Sequence, residues 1–359
     1  MDQTSSNAAL AKKAYSSTFF KRGIFLATLS GIMYGFYVAF ITLGMDRGVW
    51  AEWYGPQTVL TLFFVTYTIG ALGSAINYTM SAIWSAGFAA FKGKIRDFAS
   101  SINSRPGRNL VIASLVGGPI STSAFVIGLQ MAGSIIVPIT ALCPAIGAIL
   151  ARLVYKQKLS MRMVVGIAVC FFAALLIGLT AIEPEAPPMM LAGILIASIA
   201  AFGWGFEGCV GGVSTAMIDY EISILIRQTV SGLSGLIILT PLFGLLGGDI
   251  GLTFVLMGQA VTSLDAMQFF LLSSFFCVFA FSLWYKGNAM CGTALGMACN
   301  GAFAFWGPFF TWILMGVIVG QEGWALHPVA WFSAILMVVG IWLIAVNPLD
   351  FFKKKGADV

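Results

Sequence analysis

Two ionisable residues stand inside long apolar runs. Glu207 lies in "AFGWGFEGCVGG" (201–212) and Arg227 in "ISILIRQTVSG" (222–232). A charge at the centre of a membrane-spanning helix costs about 2.5–3.5 kcal/mol on insertion scales, so each needs a partner or a task. A carboxylate there can carry a proton or a cation, or accept hydrogen bonds from a substrate's ammonium or hydroxyl groups. A guanidinium can hold a substrate carboxylate, or keep Glu207 ionised until protonation releases it. The alternative is a permanent pair in which each residue cancels the other's desolvation cost. With a turn near Ala216, Glu207 lies nine residues before it and Arg227 eleven after. At about 1.5 Å per residue both sit roughly 14–17 Å from the turn, near mid-depth of a core of about 30 Å. The two are expected at one level. Tyr34, Tyr37, Trp204, Gln228, Asn300 and Trp306 are the polar and aromatic candidates for lining a shared pocket. Aromatic faces with a few polar groups suit sugars, nucleosides, amino acids or organic cations.

Other chemistries find less support. Six cysteines lie in apolar runs without a CxxC pair, and His327 is the single histidine, so neither a metal site nor a disulfide framework is expected. "GLSG" (232–235) has the form of an intramembrane serine protease motif, with Ser234 as nucleophile and His327 as its base, but small residues at a helix interface explain it equally well. "GGD" ending at Asp249 lacks a second intramembrane aspartate to share a proton. No GxxxxGK[ST] is present to cradle a nucleotide. The expectation is a protein that is not an enzyme and uses no cofactor. Asp219 and Glu221, in "MIDYEIS", carry negative charge at a helix start, where capping is the first reading and a gate the second.

These side chains need helices in a bilayer to hold them. The chain has 359 residues, of which 59% are hydrophobic and 9% charged, and its mean hydropathy is +0.94. That composition cannot cover a soluble core with a polar surface, and it marks an integral membrane protein. The first 20 or so residues are polar and basic, unlike a cleavable signal peptide. Windows of about 19 residues give ten expected spans: 23–45, 58–85, 109–130, 134–154, 163–182, 191–214, 220–244, 267–286, 290–319 and 328–347. Short loops retain Lys and Arg on the cytoplasmic side. Lys12, Lys13, Lys21, Arg22, the stretch from Lys92 to Arg108, Arg152 to Arg162, Lys286 and Lys353 to Lys355 then fall inside, leaving Arg47 outside and Arg227 within a span, and Glu183, Glu185, Asp249, Asp265 and Glu322 fall outside. Both termini are expected in the cytoplasm of a cell whose inner (plasma) membrane holds the protein. This topology explains the net charge of +5 without a nucleic acid partner, because anionic lipid suffices.

The chain also matches itself. "ATLSGIMYGFYVAF" (27–40) aligns with "ASIAAFGWGFEGCV" (197–210), pairing Ala27, Tyr34, Gly35 and Phe36 with Ala197, Trp204, Gly205 and Phe206. "GLQMAGS" (128–134) aligns with "GNAMCGT" (287–293), pairing Gly128, Met131 and Gly133 with Gly287, Met290 and Gly292. Tyr37 and Glu207 become equivalent positions. Five spans per copy make the copies cross in opposite senses, as an inverted repeat. The expected organisation is a segment 1–22, a first repeat 23–182, an outer linker 183–190, a second repeat 191–347 and a basic tail 348–359.

These motifs, with "GPISTSAFVIGLQMAGSIIVPITALCPAIGAILARLVY" in spans three and four and the closing stretches "KLSMRMVVGIAVCFFAALLIGL" and "LHPVAWFSAILMVVGIWLIAV", resemble the ten-helix drug/metabolite transporter superfamily, in its EamA-like and sugar-porter branches. Where many relatives carry Glu after the fourth span, this chain has "YKQKLS", while its second half keeps Glu322. The resemblance implies an all-α membrane fold with a substrate cavity between the halves and transport of small metabolites without ATP. The function expected first is uptake of a small polar metabolite coupled to a proton or sodium ion, with Glu207 as the coupling group, by a monomer or homodimer. Export of amphiphilic or cationic compounds in exchange for protons is the alternative, and a non-transporting scaffold is the remote one.

Overall fold

The computed structural model describes residues 2–132, 136–140, 142–156, 160–179 and 190–345. Lys158, Glu183, Glu185, most of the expected outer linker, the basic tail and the end of "GLQMAGS" lie outside the described residues. Among the described residues every regular element is a helix.

Fourteen helical elements follow in order. They are α1 (Asp2–Met45), α2 (Gly48–Tyr54), α3 (64–91), α4 (Asp97–Asn103), α5 (105–132), α6 (Ile136–Thr140), α7 (Cys143–Tyr155) and α8 (Met161–Leu179). The second half holds α9 (Met190–Thr215), α10 (220–246), α11 (Ile250–Thr262), α12 (Leu264–Cys291), α13 (Thr293–Ile318) and α14 (Pro328–Ala345). Six of them, α1, α5, α9, α10, α12 and α13, are long and apolar enough to cross a membrane by length and composition. Helix is found at every one of the ten expected stretches, but α3, α7, α8 and α14 do not meet that standard.

Two local outcomes add to the sequence reading. α1 starts at Asp2 and runs without a break through the expected N-terminal segment into the first expected span. "SNAALAKKAYSS" holds no Gly or Pro, and its alanines favour continuation of the helix. The stretch between the seventh and eighth expected spans forms α11, started by Asp249, whose carboxylate accepts the Leu252 amide at 2.7 Å. Its 13 residues reach about 20 Å, short of a core of about 30 Å. Leu256 and Ala260 of α11 pack with Trp50 and Trp53 of α2 and Phe270 of α12.

The long helices lie in pairs. α1 packs along α12 and α13, α9 along α5 and α7, α3 along α10, and α8 along α14. Small residues set the approach, as bilayer-embedded helices require. A Cβ on Gly128 would stand 3.2 Å from the Ala197 Cβ, and one on Gly287 2.9 Å from the Ala27 Cβ. On α9, a Cβ at Gly205 would meet the Cys143 carbonyl oxygen at 3.0 Å and one at Gly211 the Tyr285 ring at 2.7 Å, so the glycines let α7 and α12 come close. α5 is interrupted at Val116–Ile120 by π-helical turns that include Pro119. Proline gives up one ladder donor there, and the ladder widens around it. α12 stops at Gly292, whose φ of +91° is open only to glycine without strain.

Candidate functional site

Glu207 projects from α9 about two turns before its end and Arg227 from α10 about two turns after its start, and both are buried. Arg227 Nε donates to Glu207 Oε1 at 2.8 Å. The equal depth expected from counting residues about Ala216 corresponds to this direct contact. Arg227 Nη1 donates to Gln228 Oε1 at 3.0 Å, and the Gln228 amide reaches the Cys277 sulfur at 3.6 Å. Tyr285 of α12 donates its hydroxyl proton to the same Glu207 Oε1 at 2.8 Å. The guanidinium carbon lies 3.7 Å from the Phe281 ring centroid and 4.4 Å from that of Tyr78. Two aromatic faces thus clasp the cation, an arrangement worth about 2 kcal/mol or more when desolvated. Four helices meet at this point: α3 brings Tyr78, α9 Glu207, α10 Arg227 and Gln228, and α12 Phe281 and Tyr285.

Room for the carboxylate comes from α5. A Cβ on Gly117, within the π-helical turns, would lie 2.0 Å from Glu207 Oε2. The widened turn and the missing side chain together admit Glu207.

The other candidates separate into two groups. Tyr37 is buried in the same core as Tyr78, Phe281 and Tyr285, and Trp204 packs on its edge against Phe125, with centroids 5.5 Å apart. Tyr34 meets Tyr37 edge-on at 5.0 Å and the Phe281 ring at 6.5 Å. Asn300 and Trp306 are not joined to the pair. Asn300 Nδ2 donates to Ser30 Oγ at 2.6 Å, and Trp306 stacks on Phe310 at 5.5 Å within the aromatic cluster of α13. Neither had any signal in the sequence to set it apart from the true neighbours of Glu207.

Polar atoms lacking protein partners among the described residues lie against α9 at Gly208 and Gly212, within five residues of Glu207 in the chain. Trp284 Nε1, Asn288 Oδ1 and Thr293 Oγ1 are buried without a hydrogen bond among the described residues. Asn288 Nδ2 donates to the Gly208 carbonyl at 3.4 Å. A Cβ on Gly208 would touch the Trp284 ring at 2.9 Å, and one on Gly212 would touch Thr293 Oγ1 at 2.8 Å. These groups therefore lie against the glycine face of α9 on either side of one helical turn.

Asp219 does cap α10, its Oδ1 accepting the Glu221 amide at 2.9 Å. The same acids also draw in α3. Lys94 Nζ lies 2.8 Å from both Asp219 Oδ2 and Glu221 Oε2, and Lys92 pairs with Glu221 Oε1. The hydrogen bond to Asp219 raises the Lys94 ammonium well above its usual range, and the bond to Glu221 raises that of Lys92. Lys286 of α12 sits 4.0 Å over the Tyr220 ring. As for the protease-like motif, Ser234 Oγ donates to the Val230 carbonyl and His327 Nδ1 accepts the Val329 amide, so the two are engaged locally and not with each other.

No family model and no curated protein matches the chain. Sixteen solved chains match it. One, described as "Crystal structure of protein", aligns over 89% of this chain and 96% of its own at a TM-score of 0.58 and 14% identity. This is a likeness of fold.

Proposed function

We propose that the chain is a secondary transporter that takes up a small polar metabolite with a proton or sodium ion, by alternating access around Glu207. The observation that carries the reading is a fully buried ion pair at the junction of four helices, its guanidinium bonded to Glu207 and Gln228 and clasped by two rings, its carboxylate held also by Tyr285. Buried ion pairs are poor stabilisers compared with apolar side chains of the same volume. A chain that retains one at mid-membrane depth gains more from its ability to change partner or protonation than from stability. The unpartnered Trp284 N–H, Asn288 carbonyl and Thr293 hydroxyl, against Gly208 and Gly212 of the same helix, offer a donor, an acceptor and a group that does either, suited to hydroxyl and amide groups of a ligand.

The ten-span inverted repeat of the drug/metabolite transporter type belongs to this proposal, and the helix contacts support it. Exchanging the halves, first span with sixth through fifth with tenth, turns α1–α12 into α9–α5 and α1–α13 into α9–α7, and leaves α3–α10 and α8–α14 as they are. The residues matched in sequence also make matched contacts. Gly128 faces Ala197 and Gly287 faces Ala27, while Gly205 abuts α7 and Gly35 abuts Trp306 of α13. Uptake is favoured over export of amphiphiles because two opposite charges at one point suit a defined polar ligand.

The test is a thermal-shift screen of the purified protein against sugars, nucleosides, amino acids, organic acids and amines, at about pH 6 and pH 8, together with Glu207→Gln. A ligand at about 100 times its Kd stabilises the native state by about 2.7 kcal/mol. The expected result is a compound whose shift depends on pH and vanishes in Glu207→Gln. A mutant that is merely less stable, with no compound shifting either protein, would make the pair structural and the transport reading wrong.

A further inference from the structure

α5, α7 and α9 leave a groove of about 230 Å³ between them, walled by Asn109 and Ile112, by Leu150 and Tyr155, and by Phe206 and Val210. Ile112 is 53% exposed and Val154, also in the wall, 62%, so the groove opens sideways from the bundle rather than into its interior. Its walls are apolar except at one end. There Asn109 stands in the second turn of α5 and Tyr155 is the last residue of α7.

That end is ringed by cations. Arg105 precedes Asn109 and Ile112 by four and seven residues, which puts the three on one helix face, and Arg108 lies one turn before Ile112. Lys156 follows Tyr155 directly. All three cations are exposed, and no carboxylate pairs with Arg105, Arg108 or Lys156 among the described residues. An apolar slot open to the membrane, with uncompensated positive charge and two polar side chains at its mouth, has the polarity of one lipid class.

We propose that this groove binds an anionic glycerophospholipid, with an acyl chain between Ile112, Leu150 and Phe206 and its phosphate on Arg105, Arg108 and Lys156. Phe206 and Val210 flank Glu207 in α9, so the seated chain rests on the helix that carries the buried carboxylate. The inference stands independently of transport, since it needs only the groove and its charges.

Native mass spectrometry of the full-length protein, released from micelles doped with phosphatidylglycerol or with phosphatidylcholine of identical chains, reads this out. The wild type is expected to retain one phosphatidylglycerol, preferred over phosphatidylcholine by about tenfold or more. Arg105→Gln with Arg108→Gln should remove the preference, Leu150→Trp should reduce retention of both lipids by filling the slot, and Arg47→Gln should change neither. Equal retention of the two lipids by the wild type, a preference that survives the double charge variant, or retention that Leu150→Trp leaves unchanged overturns the assignment. So does a dimer mass that Leu150→Trp abolishes, because the groove would then seat a second copy of the chain.

Discussion

Removing Arg227 while leaving Glu207 in place should be among the most damaging single changes in the protein, and removing both charges should undo much of the damage. In Arg227→Met the Glu207 carboxylate stays buried and keeps only the Tyr285 hydrogen bond of the two donors to Oε1. Breaking a buried pair on one side costs about 3–5 kcal/mol, most of it from the uncompensated charge. Methionine retains much of the stem's contact with Phe281 and Tyr78, so packing loss is a minor part. In the double variant Glu207→Gln, Arg227→Met no charge is stranded, and the Gln carbonyl can still accept from Tyr285. The double variant should therefore recover about 2 kcal/mol or more relative to Arg227→Met alone, a coupling far above the 0.3–0.5 kcal/mol scatter of independent sites. Reversible unfolding of the purified protein by SDS in mixed micelles, run as a double-mutant cycle, measures this. Additive single effects would refute the reasoning, for they would mean that Glu207 does not depend on Arg227 for its charge.

Three further outcomes follow from the same geometry. Tyr285→Phe removes one hydrogen bond to an ionised group and should cost about 1.5–3 kcal/mol in the same assay, without loss of helix content by circular dichroism. Gly117→Val should displace Glu207, since its Cβ alone would fall 2.0 Å from Oε2; loss of ligand-induced thermal shift is expected, whereas Gly87→Ala, with open space around it, should behave as wild type. Lys92 and Lys94 have raised folded-state pKa values, so their pairing with Asp219 and Glu221 contributes fully below about pH 10.4, the unfolded lysine value, and is lost as pH climbs through the higher folded values. The apparent Tm should fall between about pH 10 and 12, and Lys94→Met should flatten that fall.

The chain announced Glu207 and Arg227 because charge is costly in an apolar run, and that cost is readable without a structure. Gln228 followed by adjacency, and Tyr34, Tyr37 and Trp204 by aromatic–glycine spacing. Tyr78, Phe281, Tyr285 and Gly117 carried no comparable signal. Among 30 Phe and nine Tyr, a ring that clasps a guanidinium has the same sequence context as one that packs a helix or meets lipid. Gly117 is one of 41 glycines, and only the π-helical turn at Pro119 sets it apart. Asn300 and Trp306 are the reverse case, candidates whose partners are Ser30 and Phe310 and not the ion pair, a difference that sequence context does not carry. At the level of elements, apolar runs were legible and their lengths less so. α11 is too short to register as a span, and α1 extends into a polar stretch because alanine-rich sequence needs no apolar face to remain helical.

Proton entry into proteoliposomes loaded with a pH-sensitive dye, driven by a gradient of the compound that stabilises the purified protein, would decide whether Glu207 changes state during turnover. Wild-type protein should acidify the lumen when the compound is added outside, and Glu207→Gln, reconstituted to the same density, should not. Acidification by Glu207→Gln at the wild-type rate would contradict the assignment of the coupling group, and leave the Glu207–Arg227 pair as architecture.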